Sequence, residues 1–379
     1  MVALSQGTRR ASRTGLPSAA LSAVHQFLPS LATGDAIGNH ALRLQQVLRE
    51  SGYDSEIFVE TAQPAMRDRC RPYQELAAGP SDWLLYHLST GSPLAGFLAE
   101  QDRRLAVYYH NITPARYFEF WEPGAAENSR RARQELRKLA SVTRFAMANS
   151  SYSEAELQAE GYGDTSVVPV LVDFAGYDAP EDRAAAIRLR RAAERGGASW
   201  LFVGRLAPNK CQHDVIGAFA AYRAVFDPEA RLTLIGGRTS PLYHRALGRL
   251  VAELGLGGAV ELADVVTFPE LLAHYRAADV FVSLSQHEGF LVPALEAMHF
   301  GVPVVARGAT AVPETVGDGG LVLPDEAGGD PVVVAAAVRR VLTDRPLRDR
   351  LVAAGHARLE HFSAANVGRR FLEVIRAHG

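Results

Sequence analysis

One short stretch of the sequence, residues 286–305, constrains the fold more than any other. It reads QHEGFLVPALEAMHFGVPVV, and apolar runs lie just before it (residues 280–284) and at its end (residues 302–306). Short apolar runs bounded by turn residues are typical of buried strands, so the pattern predicts a strand, a glycine turn, a helix and a second strand. This order places the helix N-terminus, with its unpaired N–H groups, at the carboxyl edge of a parallel sheet, where anionic ligands bind.

Two glutamates flank this glycine turn. Gly289 lets a phosphate approach the backbone closely, and Glu296 lies about one turn inside the predicted helix, where the helix dipole should keep it ionised. Carboxylates beside an anion site need an uncharged polar ligand, and sugar hydroxyls meet that need. The alternative for Glu296 is an ordinary exposed helix position, but its apolar neighbours predict burial, where an unpaired carboxylate is costly. Glu288 and Glu296 therefore indicate a nucleotide-sugar site.

The composition agrees with a soluble cytoplasmic enzyme. The chain has 379 residues, which predicts two domains, and 47% of them are hydrophobic, which is typical of a globular protein. A net charge of −2 gives no basic surface for nucleic acid. No apolar run approaches the roughly 20 residues that span a bilayer. The two cysteines, Cys70 and Cys211, lie far apart, so we expect no disulfide framework.

Apolar strands alternate with amphipathic helices along nearly the whole chain, which predicts an α/β fold with parallel sheets. We expect two doubly wound, Rossmann-like domains that face a central cleft. The predicted divisions are a disordered tail (residues 1–20), a first domain (21–175) and a second domain (176–363). A terminal helix within 364–379 is expected to pack back on the first domain.

The expected strands have the following bounds. In the first domain they are 23–28, 56–60, 83–88, 105–110, 145–149 and 167–172, and in the second domain 200–204, 232–235, 260–262, 280–284, 302–306 and 321–323. Each is a short apolar run.

Two cations follow the first strand of the second domain. Arg205 and Lys210 lie on a loop at a strand's carboxyl end, where a forked guanidinium and an ammonium suit a diphosphate. The alternative is a pair of solvated charges at an ordinary helix start. The sequence contains no Asp-x-Asp motif, and we find no His/Cys cluster in it, so we predict that no metal holds the diphosphate. The nucleotide sugar is then a substrate, and no cofactor is expected.

In the first domain, His110 and Gly34 follow predicted strands, at the edge that faces the cleft. The Gly34 turn lacks the full dinucleotide fingerprint, so we interpret it as a lip over the transferred sugar. Several polar and aromatic residues are candidates for contact with the acceptor; these are Asp35, His40, His110, Asn111, Arg116, Glu119, Trp121 and Glu122.

Taken together, these motifs resemble the family 4 retaining glycosyltransferases of the GT-B fold. The resemblance rests on Gly-Arg-Leu…Lys at 204–210, on the spacing from Glu288 to Glu296, and on the segments 301–305 and 311–316. It implies that sugar is transferred from a nucleotide sugar, expected to be UDP-linked, with retention of configuration. The turn departs from the family pattern at Leu291, where a second glycine is common.

The resemblance also implies a role for each site residue. Arg205 and Lys210 would bind the leaving diphosphate near Gly34, and Glu288 would hold sugar hydroxyls. The turn after Gly289 would present the Phe290 and Leu291 amides to phosphate or sugar oxygens. Glu296 would bind the ribose, Val266 would border the base, and His110 would contact the sugar near the reacting carbon. Catalysis would thus fall to His110, Arg205, Lys210 and Glu288.

The acceptor is the least constrained partner. The acidic residues Asp35, Glu119 and Glu122 would suit a polycation. The segment 109–118 resembles bacterial members that act on small polar acceptors and on polysaccharide intermediates. We therefore expect an aminocyclitol such as 2-deoxystreptamine, in antibiotic biosynthesis, with Asp35, Asn111 and Glu122 in contact with it. One alternative is assembly of cell-envelope polysaccharide or glycolipid, for which the basic helix near residues 129–139 could meet a membrane surface. The others are a sugar-nucleotide epimerase or a phosphorylase on the same fold, and a non-catalytic nucleotide-sugar-binding module. The oligomeric state is left open.

Overall fold

The computed structural model describes residues 23–378. The chain forms two α/β domains, each built on a parallel sheet with packed helices on both faces. The prediction of two doubly wound domains is confirmed. The predicted disordered tail, residues 1–20, lies outside the described residues.

Seven parallel strands form the sheet of the first domain. They are β1 (Val24–Leu31), β2 (Ile57–Ala62), β3 (Arg71–Pro72), β4 (Trp83–Leu88), β5 (Arg104–Tyr109), β6 (Thr143–Ala148) and β7 (Thr165–Val167), in the order β3-β2-β1-β4-β5-β6-β7. The side chains of β4 alternate between two hydrophobic clusters, with Leu84 and Tyr86 in one and Trp83 and Leu85 in the other. This alternation explains why β4 is apolar apart from His87, since both faces of the strand are covered.

Four helices connect these strands. They are α1 (Ala36–Glu50), α2 (Pro93–Ala99), α3 (Pro123–Ala140) and α4 (Ser151–Ala159). The helix α1 begins after Asp35, whose carboxylate accepts a hydrogen bond from the Gly38 N–H and so caps the first turn. It carries Leu44 and Leu48 onto one face of the sheet.

Six parallel strands form the second sheet. They are β8 (Ser199–Val203), β9 (Arg231–Ile235), β10 (Val260–Ala263), β11 (Val280–Ser283), β12 (Val304–Arg307) and β13 (Gly320–Leu323), in the order β10-β9-β8-β11-β12-β13. The helices are α5 (Arg183–Ala193), α6 (Gln212–Val225), α7 (Pro241–Glu253), α8 (Phe268–Ala277), α9 (Val292–His299), α10 (Val312–Val316), α11 (Pro331–Thr343), α12 (Arg345–Leu359) and α13 (Ala364–His378).

In each sheet the strand order reverses beside the first strand of the domain. The reversal lies between β1 and β4 in one sheet and between β8 and β11 in the other. Connections leave such a point in opposite directions, which opens a crevice at the carboxyl ends of the strands. The loops after these strands therefore determine where a ligand can bind.

The connection between the domains differs from the prediction. We expected a strand over residues 167–172, but β7 ends at Val167 and the next five residues lie in no strand. Pro169 has no N–H to donate to a neighbouring strand, so pairing cannot continue through it. The apolar residues have another role, because Val168 and Leu171 pack in the first domain and Val170 and Val172 pack in the second.

The last helix, α13, returns to the first domain. Its Val367, Phe371 and Ile375 are buried in the same cluster as Leu44 of α1 and Phe145 of β6. No helix within residues 23–378 is both long and apolar enough to span a bilayer.

Candidate active site in the interdomain cleft

The carboxyl edges of the two sheets face each other across a cavity of about 520 Å³. Nine residues of the predicted site line it: Asp35, His110, Asn111, Glu122, Arg205, Lys210, Glu288, Gly289 and Phe290. Gly34 and Glu296 line an adjacent cavity of about 720 Å³, between α1 and the connection that links the domains. Two predicted contacts line neither: the side chain of Leu291 is in the core of the second domain, and Val266 packs against that core.

Lys210 and Glu288 form an ion pair inside the cleft. The Lys210 Nζ lies 2.5 Å from the Glu288 Oε2, and the two side chains are only 17% and 5% exposed. The other carboxylate oxygen, Oε1, is buried without a hydrogen-bond partner among residues 23–378. Thr310 fixes the Glu288 backbone, because its hydroxyl accepts from the Glu288 N–H and donates to the Glu288 carbonyl. Glu288 thus presents one free acceptor to the cleft.

The glycine turn brings the second domain against the first. A Cβ on Gly289 would lie 2.5 Å from the Asn111 Cβ and 2.7 Å from the His110 carbonyl oxygen. Contacts this short do not occur between real side chains and backbone, so only glycine fits here. The Gly289 turn leads directly into α9. Pro293 has no N–H and the Ala294 N–H donates to the Leu291 carbonyl, which leaves the Val292 N–H and the helix dipole for an anion.

Glu296 lies in an environment that the sequence did not predict, because its carboxylate already has partners within the described chain. Its two oxygens accept hydrogen bonds from the Tyr177 hydroxyl, at 2.6 Å, and from the Tyr275 hydroxyl, at 2.5 Å. Burial raises the pKa of Glu296 above its usual value, although both phenols lower it. Desolvation of the carboxylate is the larger of these opposing effects.

Asn111 links the two domains through a polar network. Its φ of 76° is left-handed, a conformation that asparagine tolerates better than most residues. Its amide donates to Glu156, which is also bound by Arg133 at 2.8 Å, so the Asn111 oxygen is left to accept from His287 Nε2 at 2.6 Å. Burial lowers the pKa of His287 to about 3, so this donor is a neutral imidazole.

Three histidines lie together beneath the first-domain side of the cleft. His40, His87 and His110 come from α1, from β4 and from the end of β5, and all three are buried. The sequence analysis found no His/Cys cluster, and these three residues are far apart along the chain, so only the fold brings them within ligand distance. The absence of a metal stays a prediction. A second group, Cys211, His213 and Asp214, also falls within ligand distance. The hydrogen bonds of the first group occupy most of its ring nitrogens.

The first-domain wall of the cleft is polar and acidic. Its described lining residues include the carboxylates of Asp35 and Glu122 and the hydroxyls of Ser89, Thr90 and Ser129, but no lysine or arginine. Burial raises the pKa of Asp35, while the Gly38 N–H and the charge of Arg205 lower it. The cations of the cleft, Arg205 and Lys210, both belong to the second domain. The cleft is therefore divided into a cationic side and an acidic side.

The remaining acceptor candidates lie elsewhere. Arg116 and Trp121 line a separate cavity beside α7, and Glu119 pairs with Arg130. The carbonyl of Trp121 accepts from the Ser240 hydroxyl, which joins the two domains.

Sequence reasoning missed several polar residues that position the site. They include Gln26, His87, Asn149, Glu156, Tyr177, Asn209, His287 and Thr310. Asn149, His287 and Thr310 closely follow the strands β6, β11 and β12, which is a signal that the sequence did contain, whereas Gln26 lies inside β1 and Glu156 inside α4. Tyr177 carried no such signal, because it lies in the connection between the domains and meets Glu296 only in the folded chain.

Residues 190–358 match the family model described as glycosyl transferases group 1. Among curated proteins, the chain is 34% identical over 247 residues to a D-inositol 3-phosphate glycosyltransferase of Nocardioides sp. (strain ATCC BAA-499 / JS614), covering 61% of this chain and 53% of that protein. It is 33% identical over 167 residues to the O-antigen chain mannosyltransferase B of Escherichia coli, covering 44% of this chain and 42% of that protein. The chain thus spans about half the length of these relatives.

Solved structures share the fold over nearly the whole chain. A sucrose-phosphate synthase from Thermosynechococcus elongatus superposes with a TM-score of 0.73 at 18% identity, covering 94% of this chain and 98% of that one. HepE from Anabaena in complex with UDP-glucose superposes with a TM-score of 0.72 at 17% identity, covering 93% and 99%. At this identity the likeness concerns the two-domain fold alone. Residues 190–358, which carry Arg205, Lys210, Glu288 and Glu296, are thus the part of the chain that is similar to the glycosyl transferases group 1 family.

Proposed function

We propose that this chain is a glycosyltransferase that moves a hexose or N-acetylhexosamine from a UDP-sugar to a hydroxyl of a small polar acceptor, with retention of configuration. The observation that carries the proposal is the buried Lys210–Glu288 pair beside Arg205 and the α9 N-terminus, in a cleft between two sheets. Cations and helix N–H groups suit a diphosphate, and a carboxylate with a free oxygen suits sugar hydroxyls.

In this reaction the acceptor oxygen bonds to the anomeric carbon while the bond from that carbon to the diphosphate breaks. The acceptor proton passes to the departing phosphate oxygen, and attack occurs on the face from which the diphosphate leaves. Arg205, Lys210 and the start of α9 would stabilise the charge that develops on the leaving group. These groups would replace a divalent metal in that role.

The acceptor would bind against the first-domain wall. Asp35 and Glu122 supply carboxylates there, the Glu122 Oε1 is buried with no partner within the described chain, and the wall carries no cation. A phosphorylated acceptor needs cations, whereas an amine-bearing polyol pairs with carboxylates. This supports an unphosphorylated aminocyclitol such as 2-deoxystreptamine over D-inositol 3-phosphate, the acceptor in the name of several relatives.

A second candidate is assembly of an envelope glycan at a membrane surface. The observation in its favour is Phe120, which is 73% exposed and precedes the basic helix α3, although Arg130 and Arg137 of this helix already pair with Glu119 and Glu160. An aromatic residue beside a basic face suits an anionic bilayer. Flotation with phosphatidylglycerol vesicles tests this candidate, and retention of the protein in the pellet would argue against it.

The central test is a thermal-shift and turnover screen. UDP-, GDP- and dTDP-sugars would each be combined with 2-deoxystreptamine and with D-inositol 3-phosphate. Stabilisation by a UDP-sugar, together with an α-linked product on the aminocyclitol, is the expected result. Stabilisation without either product would redirect the acceptor search to glycans and lipids, while a donor-derived product without an acceptor would indicate an epimerase. The absence of stabilisation by every nucleotide would contradict the proposal, including its non-catalytic, nucleotide-sugar-binding form.

A further inference from the structure

A chain of hydrogen bonds runs from α1 through the buried histidines to the cleft. The amide nitrogen of Gln26 donates to the Ala41 carbonyl at 3.0 Å, so the amide oxygen of Gln26 faces away from α1 as an acceptor. That oxygen lies 2.9 Å from His87 Nε2, and His87 Nδ1 lies 2.8 Å from His110 Nε2. Only one arrangement of protons satisfies all of these contacts.

The protons can be assigned one contact at a time. Because the Gln26 oxygen can only accept, the proton of the neutral His87 ring must lie on Nε2. His87 Nδ1 is then an acceptor, so His110 must donate from its own Nε2. The two ring planes are 15° apart, which allows this donor to point along the lone pair of its partner. His110 is thereby left with an unprotonated Nδ1.

The Nδ1 atom of His110 is the last atom of this series of hydrogen bonds. It is buried and has no hydrogen-bond partner among residues 23–378, although His110 lines the cleft. His40 does not supply a proton to it, because no hydrogen bond joins the two rings within the described chain; His40 Nδ1 accepts from the Leu171 N–H at 2.9 Å, and its Nε2 is likewise unpartnered. A buried acceptor without a donor is costly and calls for a ligand.

We propose that Gln26 and His87 are positioning residues that hold His110 as its Nε2–H tautomer, so that Nδ1 accepts a hydroxyl proton of the bound sugar. The inference rests on the proposed function for the identity of the ligand, but the tautomer itself does not depend on it. Burial lowers the pKa of His87 to about 3 and the pKa values of His40 and His110 well below their usual range. All three rings are therefore neutral at physiological pH, and the assignment of protons holds there.

The alternative role for this cluster is metal binding. Hydrogen bonds already occupy four of the six ring nitrogens, and only His40 Nε2 and His110 Nδ1 are free among the described residues. A metal that took a third nitrogen, from His87, would have to displace the contact of His87 with Gln26 or with His110. The hydrogen-bonded chain accounts for more of the observed geometry.

The test combines ring ¹⁵N chemical shifts with kinetics. In wild-type protein labelled at histidine, with His110 identified by its loss in His110→Asn, we expect Nδ1 of His110 to resonate as unprotonated nitrogen and Nε2 as protonated nitrogen. His87→Leu removes the acceptor for His110, whereas His87→Asn keeps an oxygen near the place of Nδ1. We expect His87→Leu to mix the two tautomers and His87→Asn to restore the wild-type one.

The kinetic effect should follow the tautomer. Loss of one hydrogen bond to the substrate corresponds to a decrease of about tenfold in kcat/KM for His87→Leu and Gln26→Leu, with recovery in His87→Asn. The affinity for UDP without a sugar should not change. Gln45→Leu is the matched control, since Gln45 is also a buried glutamine that donates to a backbone carbonyl, that of Ser55, and lies outside the chain of histidines.

The outcomes separate the two proposals. A wild-type His110 protonated on Nδ1 would overturn the positioning role even if the enzyme transfers sugar. Equal losses in His87→Leu, His87→Asn and Gln45→Leu would also overturn it, because they would indicate a general loss of packing. A protein that shows the expected tautomer and transfers no sugar would refute the proposed function while leaving the hydrogen-bonded chain in place.

Discussion

The Lys210–Glu288 pair allows a quantitative prediction for Glu288→Gln. The substitution keeps the shape of the side chain and removes its charge, so it leaves the Lys210 ammonium without a counter-ion in a site where that side chain is 17% exposed. At a separation of 2.5 Å the Coulomb attraction is about 6 to 7 kcal/mol for an effective dielectric constant near 20. Part of this is already offset by the desolvation of both groups.

The net cost is smaller than the Coulomb attraction. Removal of one partner from a buried ion pair typically costs about 3 to 5 kcal/mol, and water that reaches Lys210 reduces this to about 2 to 3 kcal/mol. For a domain of this size, each kcal/mol corresponds to about 2 to 4 °C in Tm. We therefore expect the Tm of the nucleotide-free protein to decrease by about 4 to 12 °C in Glu288→Gln.

UDP should restore part of the thermal stability that Glu288→Gln loses. In this variant the diphosphate of UDP replaces the Glu288 carboxylate as the counter-ion of Lys210. The diphosphate also no longer competes with that carboxylate for the ammonium. In Glu288→Gln the Kd for UDP should therefore be equal to or lower than in wild type, and the Tm difference should narrow when UDP is added. Transfer should nevertheless fall by at least about 100-fold, because the sugar hydroxyls lose their carboxylate. Differential scanning fluorimetry, titration calorimetry and a transfer assay measure these quantities.

Glu261→Gln is the matched control for this experiment. Its carboxylate pairs with Arg188 at 3.3 Å, but the two side chains are 49% and 54% exposed. An exposed pair contributes about 0 to 1 kcal/mol, so Tm and UDP affinity should be close to wild type. A weaker affinity for UDP in Glu288→Gln would refute the reasoning, since it would mean that Glu288 and Glu296 have exchanged the roles we assign to them. An unchanged Tm would show that the ion pair does not form in solution.

Further predictions concern the glycine turn, the ribose carboxylate and the diphosphate. Gly289→Ala places a Cβ 2.5 Å from the Asn111 Cβ, so the domains cannot approach and transfer should fall by about 100-fold, while small-angle scattering should report a larger radius of gyration. Burial raises the pKa of Glu296, so the native state binds its proton more tightly than the unfolded state, and this contribution to stability is full below about pH 4.5 and lost as the pH rises through the native pKa. The Tm of Glu296→Gln should therefore exceed that of wild type at neutral pH and converge with it in acid, as measured by fluorimetry across a pH series without nucleotide. Arg205→Ala should weaken UDP binding and lower kcat together, by about tenfold each in calorimetry and single-turnover assays. EDTA should leave the transfer rate unchanged.

The controls for these predictions lie in the same chain. Gly257→Ala introduces a Cβ that meets no atom of the described residues within 4 Å, so transfer and radius of gyration should match wild type. A normal transfer rate in Gly289→Ala would show that the close approach to Asn111 is not needed for the reaction. A Tm difference for Glu296→Gln that stays constant across the pH series would contradict the raised pKa. Loss of transfer on chelation would assign the diphosphate to a metal.

The sequence predicted the parts of the site that follow from short-range patterns. Apolar runs located the strands, and the Gly289 turn placed Glu288 at the end of one of them, because a strand, a turn and a helix are local structures. The environment of Glu296 could not be predicted in this way. Its pKa depends first on burial and then on Tyr177 and Tyr275, which lie 119 and 21 residues away along the chain. Burial and long-range partners determine charge, and neither is visible as a local pattern.

The histidine cluster shows the same limit. His110 was predicted from its place at the end of a strand. The position of its ring proton, however, is set by His87, which lies 23 residues from His110, and by Gln26, which lies 61 residues from His87. The connection between the domains shows the reverse case, where an apolar run at 167–172 was interpreted as a strand. Hydrophobicity reported burial correctly, but Pro169 prevents the pairing that a strand requires.

The way this connection is anchored limits how the domains can separate. Val168 and Leu171 are held in one core, and Val170 and Val172 in the other, within five consecutive residues. The connection is therefore packed into both domains and is not a free linker. Neighbouring side chains would have to move with different domains when the cleft opens. Each opening would either concentrate the rotation in a few peptide units or draw apolar side chains into water. We would then expect the cleft to open and close between a small number of discrete conformations. The energy barrier between them would be set by the packing of this connection and not by the ligand.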